Sequence, residues 1–293
     1  MDQLVRGNSM DGAIRVFSIV STDLVSRAQQ IHHSYPVATA ALGRLLTGAA
    51  MMGAAGLKND DDSITVQVKG DGPLGNIVAV TDCNAHVRGY VANPFVDRPL
   101  NDKGKLDVGG GVGKGYLNVV RDLGLKEPYI GQVPLVSGEI AEDLTYYYAK
   151  SEQIPTCVAL GVLVDTDNSA IAAGGFMIQM MPGSTDEMAD RLEKIINELP
   201  PVTTLIHDGM TAEDLFFKVT EGFDMLMDNN IIEPKYECKC SKERMEKALI
   251  SIGKDELQAI IDEQGEAELT CHFCDNKYKF NKDELTELLK SAK

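Results

Sequence analysis

Apolar and polar positions alternate along SITVQVK, where Ile64, Val66 and Val68 are separated by polar residues, the period-two pattern of a half-buried strand. Residues 14–20 (IRVFSIV) read as an earlier strand, with a helix from about Asp23. NIVAVTD and HVRGYVAN read as two strands after the turn Gly70–Pro73. Their short connections predict an antiparallel meander. Pro36 to Leu57 carries one charge, Arg44, in 22 residues. Its Ala/Gly bulk is weakly apolar, and a charge at mid-membrane costs ~2.5–3.5 kcal/mol. The segment therefore predicts a helix buried in a globular core, carrying Leu42, Leu45, Leu46 and Met52.

Further along, Ser137 to Lys150 predicts a helix with acids in its first turns. CVALGVLVD and SAIAAGGFMIQMM predict a hairpin across Thr166-Asp167-Asn168, and their near-continuous apolar character implies cover on both faces. Strand signals stop at Met181. Beyond Pro182-Gly183 the period becomes helical: Ser184 and Glu187 read as a capping box, and Met188, Leu192, Ile195, Ile196 and Leu199 form one stripe. Thr211 caps a second helix with Leu215, Phe216 and Val219. These ~50 residues have too few large apolar side chains for a core of their own. They must lie on something, as a permanent layer over the sheet or as a detachable cover.

The last stretch, 234–293, predicts a helix with Met245, Leu249 and Ile252, another with Leu257, Ile260 and Ile261, and a strand pair around Leu269, Phe273, Tyr278 and Phe280. Asn281 and Glu284 start a closing helix. The expected class is α+β: a mixed, largely antiparallel sheet core with packed helices, a helical linker and a small C-terminal four-cysteine zinc domain. The boundaries expected are 1–181, 182–233 and 234–293.

Charge and motif spacing remove several functions. Lys and Arg number 28 against 44 Asp and Glu, a net of −16 over 293 residues. A nucleic-acid binder needs a basic face, and an anionic membrane surface repels such a chain. The start MDQLVRGNSM lacks the apolar core of a signal peptide, so a cytoplasmic protein is expected. Gly109 to Lys114 imitates a phosphate loop, but the first position is Val108 and the last is Gly115, which removes the magnesium ligand. No set of nucleophile, base and orienter stands out, and His32, His33, His86 and His207 read as surface or packing residues. An enzyme is not expected.

Six cysteines carry the chemistry. Cys83 and Cys157 are isolated in strand-like surroundings and read as structural. The other four form Cys238-Lys-Cys240 and Cys271-His-Phe-Cys274. Four thiolates complete a tetrahedral zinc shell and leave no open position, so His272 is expected to stay outside it. Structural zinc is worth ~10–16 kcal/mol, most of the folding energy of so small a domain. A permanent zinc ribbon, serving as an adaptor in transcription or translation, is one reading. The tail offers it only Lys277, Tyr278, Lys279 and Lys282 as a binding face. A thiol oxidoreductase using Cys271 and Cys274 is another, but no βαβ pattern precedes that motif. A third is a redox switch, because residues two or three apart can reach the ~4.4–6.8 Å Cα separation of a disulfide.

The Cys-X-Cys, ~30-residue spacer, Cys-X-X-Cys tail resembles that of the redox-regulated heat-shock chaperones of about 33 kilodaltons, a bacterial holdase family. VQVKGDGPLG (66–75), VRGY (87–90), GEIAEDLTYYYAKSEQIPT (138–156) and AGGFMIQMMPG (173–183) agree with it across the whole chain. The resemblance implies an ATP-independent chaperone that is inactive when reduced, with one zinc ion per chain on Cys238, Cys240, Cys271 and Cys274. Oxidation would pair Cys238 with Cys240 and Cys271 with Cys274, eject zinc and unfold the tail and the linker. Unfolded or oxidatively damaged client proteins would then be held by a homodimer and handed to the seventy-kilodalton heat-shock chaperone system.

Overall fold

Two antiparallel strands, β1 (Gln3–Ser9) and β2 (Ile14–Val20), open the chain. The computed structural model describes residues 1–291. β2 matches its sequence pattern. β1 does not announce itself, because Arg6, Gly7 and Asn8 interrupt its apolar positions. Two helices follow, α1 (Thr22–His32) and α2 (Pro36–Gly56), then the meander β3 (Ser63–Gly70), β4 (Asn76–Thr81) and β5 (His86–Val91).

After a five-residue helix, α3 (Val108–Val112), come β6 (Gly115–Asp122) and β7 (Tyr129–Pro134). β7 is an edge strand with exposed Tyr129 and Ile130, and its buried positions, Gly131 and Val133, are too few to reveal it. The next helix, α4 (Ala141–Tyr147), starts four residues later than Ser137 and passes into a π-helical turn at Tyr148–Glu152. The delay has a cause. The fully buried Asp143 carboxylate accepts from the backbone N–H groups of Val136, Ser137, Gly138 and Ile140, which holds 136–140 as a loop.

β8 (Thr156–Val164) and β9 (Ala170–Met180) form the expected hairpin. Three helices follow: α5 (Asp186–Glu198), α6 (Val202–His207) and α7 (Ala212–Val219). The cap of α5 is Thr185, whose hydroxyl accepts from Met188 N–H, and not the Ser184–Glu187 box expected from the sequence. At α7, Thr211 and Asp214 do form a capping box. Strand pairing also resumes beyond Met181, in β10 (Met225–Met227) and β11 (Lys235–Tyr236). These strands are too short to read from a pattern.

β10, β1, β2, β9 and β8 make one sheet, and β11, β5, β4, β3, β6 and β7 make a second. All pairs are antiparallel except β11 on β5. α2 lies between the two sheets, and every residue from Val37 to Ala54 except Arg44 is buried. α2 is the helix that length and composition would allow to cross a membrane, and 94% of its most apolar window is covered by protein. Its small residues permit that fit. A Cβ at Gly53 would sit 2.4 Å from the Asp82 carbonyl oxygen, and one at Gly43 2.7 Å from Val25. Arg44 leaves the core through an ion pair with Glu139.

The other face of the first sheet carries Val5, Ile14, Val16, Phe176 and Ile178, packed under Leu192, Ala212, Leu215, Phe216 and Val219 of α5 and α7. This is why β8 and β9 are apolar throughout. The chain divides into two compact units, Met1–Glu237 and the remainder from Cys238. The second contains α8 (Lys242–Ser251), α9 (Lys254–Glu263), the hairpin β12 (Glu266–Thr270) with β13 (Lys277–Asn281), and α10 (Lys282–Leu289). Its buried core is small: Leu249, Leu257, Ile261, Phe280 and Leu285.

Candidate metal centre

Cys238 and Cys240 lie in the extended segment before Ser241, the N-cap of α8. The other two cysteines close the β12–β13 hairpin. Cys271 N–H donates to the Asn276 carbonyl at 2.9 Å. The carbonyl of Cys271 accepts from Cys274 N–H at 3.3 Å and Asp275 N–H at 2.8 Å. Asp275 takes a φ of 57°, the left-handed conformation that lets this tight turn close. The turn aims both sulfurs inward.

The four Sγ atoms lie within 4.8 Å of one another. Cys238 and Cys271 are 3.7 Å apart, and Cys240 and Cys274 are 3.3 Å apart. A tetrahedron with Zn–S bonds of about 2.3 Å has edges of about 3.8 Å, so this donor set fits a zinc ion. Soft thiolate donors without a carboxylate or water position also favour a structural ion over a catalytic one. The group consists of the four cysteines, and His272 is not part of it.

Tyr278 joins the site through a group that sequence alone assigned to a strand: its hydroxyl donates to Cys240 Sγ at 3.1 Å. Burial works against ionising Cys240, but the hydrogen bonds from Tyr278 and the neighbouring thiols outweigh it and bring the thiol down to about 7. Burial pushes Cys238 up to about 11 and also raises Cys274. A divalent cation bound there would hold all four as thiolates and remove this asymmetry.

The remaining two cysteines are far from this chemistry in character. Cys157 sits in β8 against the α5–α7 layer, its thiol raised by burial. Cys83 lies in the β4–β5 turn, where burial and the Asp60 carboxylate raise it.

Fold and site together define a two-unit α+β protein whose tail brings together four thiols that could hold a metal ion. The chain belongs to the Hsp33 protein family, whose sequence profile matches residues 2–281. It is 47% identical over 293 residues to the 33 kDa chaperonin of Clostridium beijerinckii, covering 100% of this chain and 99% of the relative. It is 50% identical to that of Ruminiclostridium cellulolyticum, covering 99% and 98%. Among solved structures, it is similar to the 33 kDa chaperonin (heat shock protein 33 homologue) of Thermotoga maritima, with a TM-score of 0.90, 40% identity, and cover of 99% and 98%. These relatives are chaperonins by name.

Proposed function

We propose that this chain is an ATP-independent holdase switched by its four tail thiols. In the reduced form Cys238, Cys240, Cys271 and Cys274 hold one zinc ion per chain, and the protein is inactive. When bound, the ion cross-links the two halves of the tail and keeps all four sulfurs as thiolates. Oxidation pairs Cys238 with Cys240 and Cys271 with Cys274. Each thiolate pair gives up two electrons to one hydrogen peroxide, which takes up two protons from solvent and becomes two waters, so a chain consumes two peroxides. No thiolate donor is then left.

The tail retains only its five-residue buried core, too little for a segment of this size. In this reading residues 1–181 are the stable core, 182–233 the linker and 234–293 the sensor. Loss of the sensor releases the linker. Val5, Ile14, Val16, Phe176 and Ile178 are uncovered, and Leu192, Leu215 and Phe216 turn to solvent. Such a surface takes apolar segments of unfolded or oxidatively damaged clients, which pass later to the seventy-kilodalton heat-shock chaperone system.

The oxidised form is read as a homodimer, and β8 supports this. It is the last strand of its sheet, and Val158 N–H turns away from β9 to Thr145 Oγ1 at 3.1 Å. Leu160 and Val162, two and four residues on, lie in the same edge register, where a second copy could pair if the cover moves. The cytoplasm, where thiols are kept reduced until stress, is the compartment in which such a switch has a resting state.

The observation that carries this reading is the convergence of four thiols from two sequence-local pairs in a unit with so small a core. The test is light scattering from a heat-unfolding client, with zinc-loaded reduced protein and with peroxide-treated protein, zinc release being followed in parallel. Suppression only after oxidation, with zinc released, is the expected result. Equal suppression by both forms removes redox control. Zinc loss without suppression returns the cysteines to a structural ribbon.

A further inference from the structure

We propose that the cavity at the C-terminal end of α2 is a binding site for a small phosphate-bearing polyanion. The cavity is about 510 Å³, within the range of small-ligand sites. Arg6, Asn8 and Arg15 line it from β1 and β2, Lys58 from the end of α2, and Asn84 and Asp228 from its rim. Asn8 stands opposite Arg15 in the β1–β2 register, which puts Arg6, Asn8 and Arg15 on one face of the sheet.

The two guanidiniums have a structural task that leaves most of their donors unused. Arg6 Nη1 donates to the Ala54 carbonyl at 3.1 Å and Arg15 Nη2 to the Ala55 carbonyl at 3.2 Å, covering the carbonyl end of α2. Arg6 Nε donates to Asp228 Oδ2 at 2.9 Å. Each guanidinium carries five N–H donors. Among the described residues the buried side-chain nitrogens without a partner are those of Arg44 and Arg121, so the unused donors of Arg6 and Arg15 are not sealed in protein. They face the cavity.

Charge points the same way. Arg6, Arg15 and Lys58 face one carboxylate, Asp228, in a chain whose net charge is −16. Lys58 makes no ion pair among the described residues. Asp60, outside the lining, is held by Cys83 Sγ and Asn84 Nδ2. Burial, and then the neighbouring Arg6 charge, hold Arg15 below the usual arginine range. Two guanidinium forks and an ammonium around an uncompensated double positive charge match a phosphate dianion or larger, which accepts several charge-assisted hydrogen bonds at once. The site lies in the first unit and does not rest on the redox reading.

The test is calorimetric titration of inorganic pyrophosphate into the reduced, zinc-loaded full chain at low ionic strength, with zinc content assayed before and after. One site per chain is expected. Arg15→Gln is expected to weaken it about tenfold, and Asp228→Asn to strengthen it. Lys58→Gln, at an exposed position that cannot disturb the core, is expected to weaken it as well. ADP binding more tightly than pyrophosphate assigns a nucleotide as the source of the phosphate; equal binding assigns a free polyphosphate. Absence of binding overturns the proposal, as does unchanged affinity in both Arg15→Gln and Lys58→Gln.

Discussion

The hydroxyl of Tyr236 donates to the carbonyl oxygen of Gly89 at 2.7 Å and lies 3.1 Å from His32 Nε2. Tyr236 stands two residues before Cys238, at the end of a strap formed by residues 225–237. The strap starts as β10 on β1, bridges Ile232 to Leu4, and ends as β11 on β5, so it is tied to both sheets of the first unit. Tyr236→Phe keeps the ring and removes the hydroxyl, a loss of about 1 kcal/mol for a neutral hydrogen bond. Strap amides in the zinc-loaded protein are expected to exchange hydrogen about fivefold faster, with zinc content unchanged. Unaltered exchange in the strap would show that the phenol does not anchor it.

Cys271 is the most buried of the four thiols, and its backbone also organises the hairpin turn. Cys271→Ser leaves three thiolates and a poor oxygen donor. Bound zinc is expected to fall below one per chain, and the second unit and residues 182–233 are expected to lose their dispersed NMR signals while residues 1–181 retain them. A full zinc complement together with an intact second unit would remove Cys271 from the ligand set.

Phe216 is fully buried in the layer between α7 and the first sheet. Phe216→Ala is expected to cost about 3–5 kcal/mol, most of it from the contact between helical layer and sheet. On the proposed mechanism this variant suppresses client aggregation even when reduced and zinc-bound. Light scattering under reducing conditions decides the matter, and a variant as silent as the parent separates linker release from activity.

Asp2 gives the fold a pH signature. Its buried carboxylate accepts from Asp23 N–H and Leu24 N–H at the start of α1. Burial nevertheless dominates and raises it to about 6 from 3.8. The folded state therefore favours the protonated acid. Its contribution is fully present below about pH 4 and is lost as pH rises through 6, by about 3 kcal/mol. Denaturant unfolding of the parent and of Asp2→Asn from pH 4 to 7.5 is expected to show that the parent loses this amount relative to the variant. Parallel pH profiles would contradict it.

Strong local periodicity made much of the fold legible. Ile64, Val66 and Val68 marked β3, the Ala-rich run marked α2, and the two-sided apolar character of β8 and β9 called for cover on both faces. The four cysteines marked a candidate metal site by spacing alone, because residue type and separation suggest metal ligands before any contact is known, and the fold brings their sulfurs together. Other features depended on partners distant in sequence. β1 is a strand because β2 and β10 pair with it, although Arg6, Gly7 and Asn8 break its pattern. The start of α4 is set by Asp143 reaching back to four backbone N–H groups, and the cap of α5 by which hydroxyl finds Met188 N–H. Tyr278 reads as a strand aromatic until the hairpin places its hydroxyl on Cys240. Sequence by itself determined which residues could form elements and which could bind metal. Tertiary structure alone decided which sheet face helices α5 and α7 cover, and which buried polar groups find their hydrogen-bond partners.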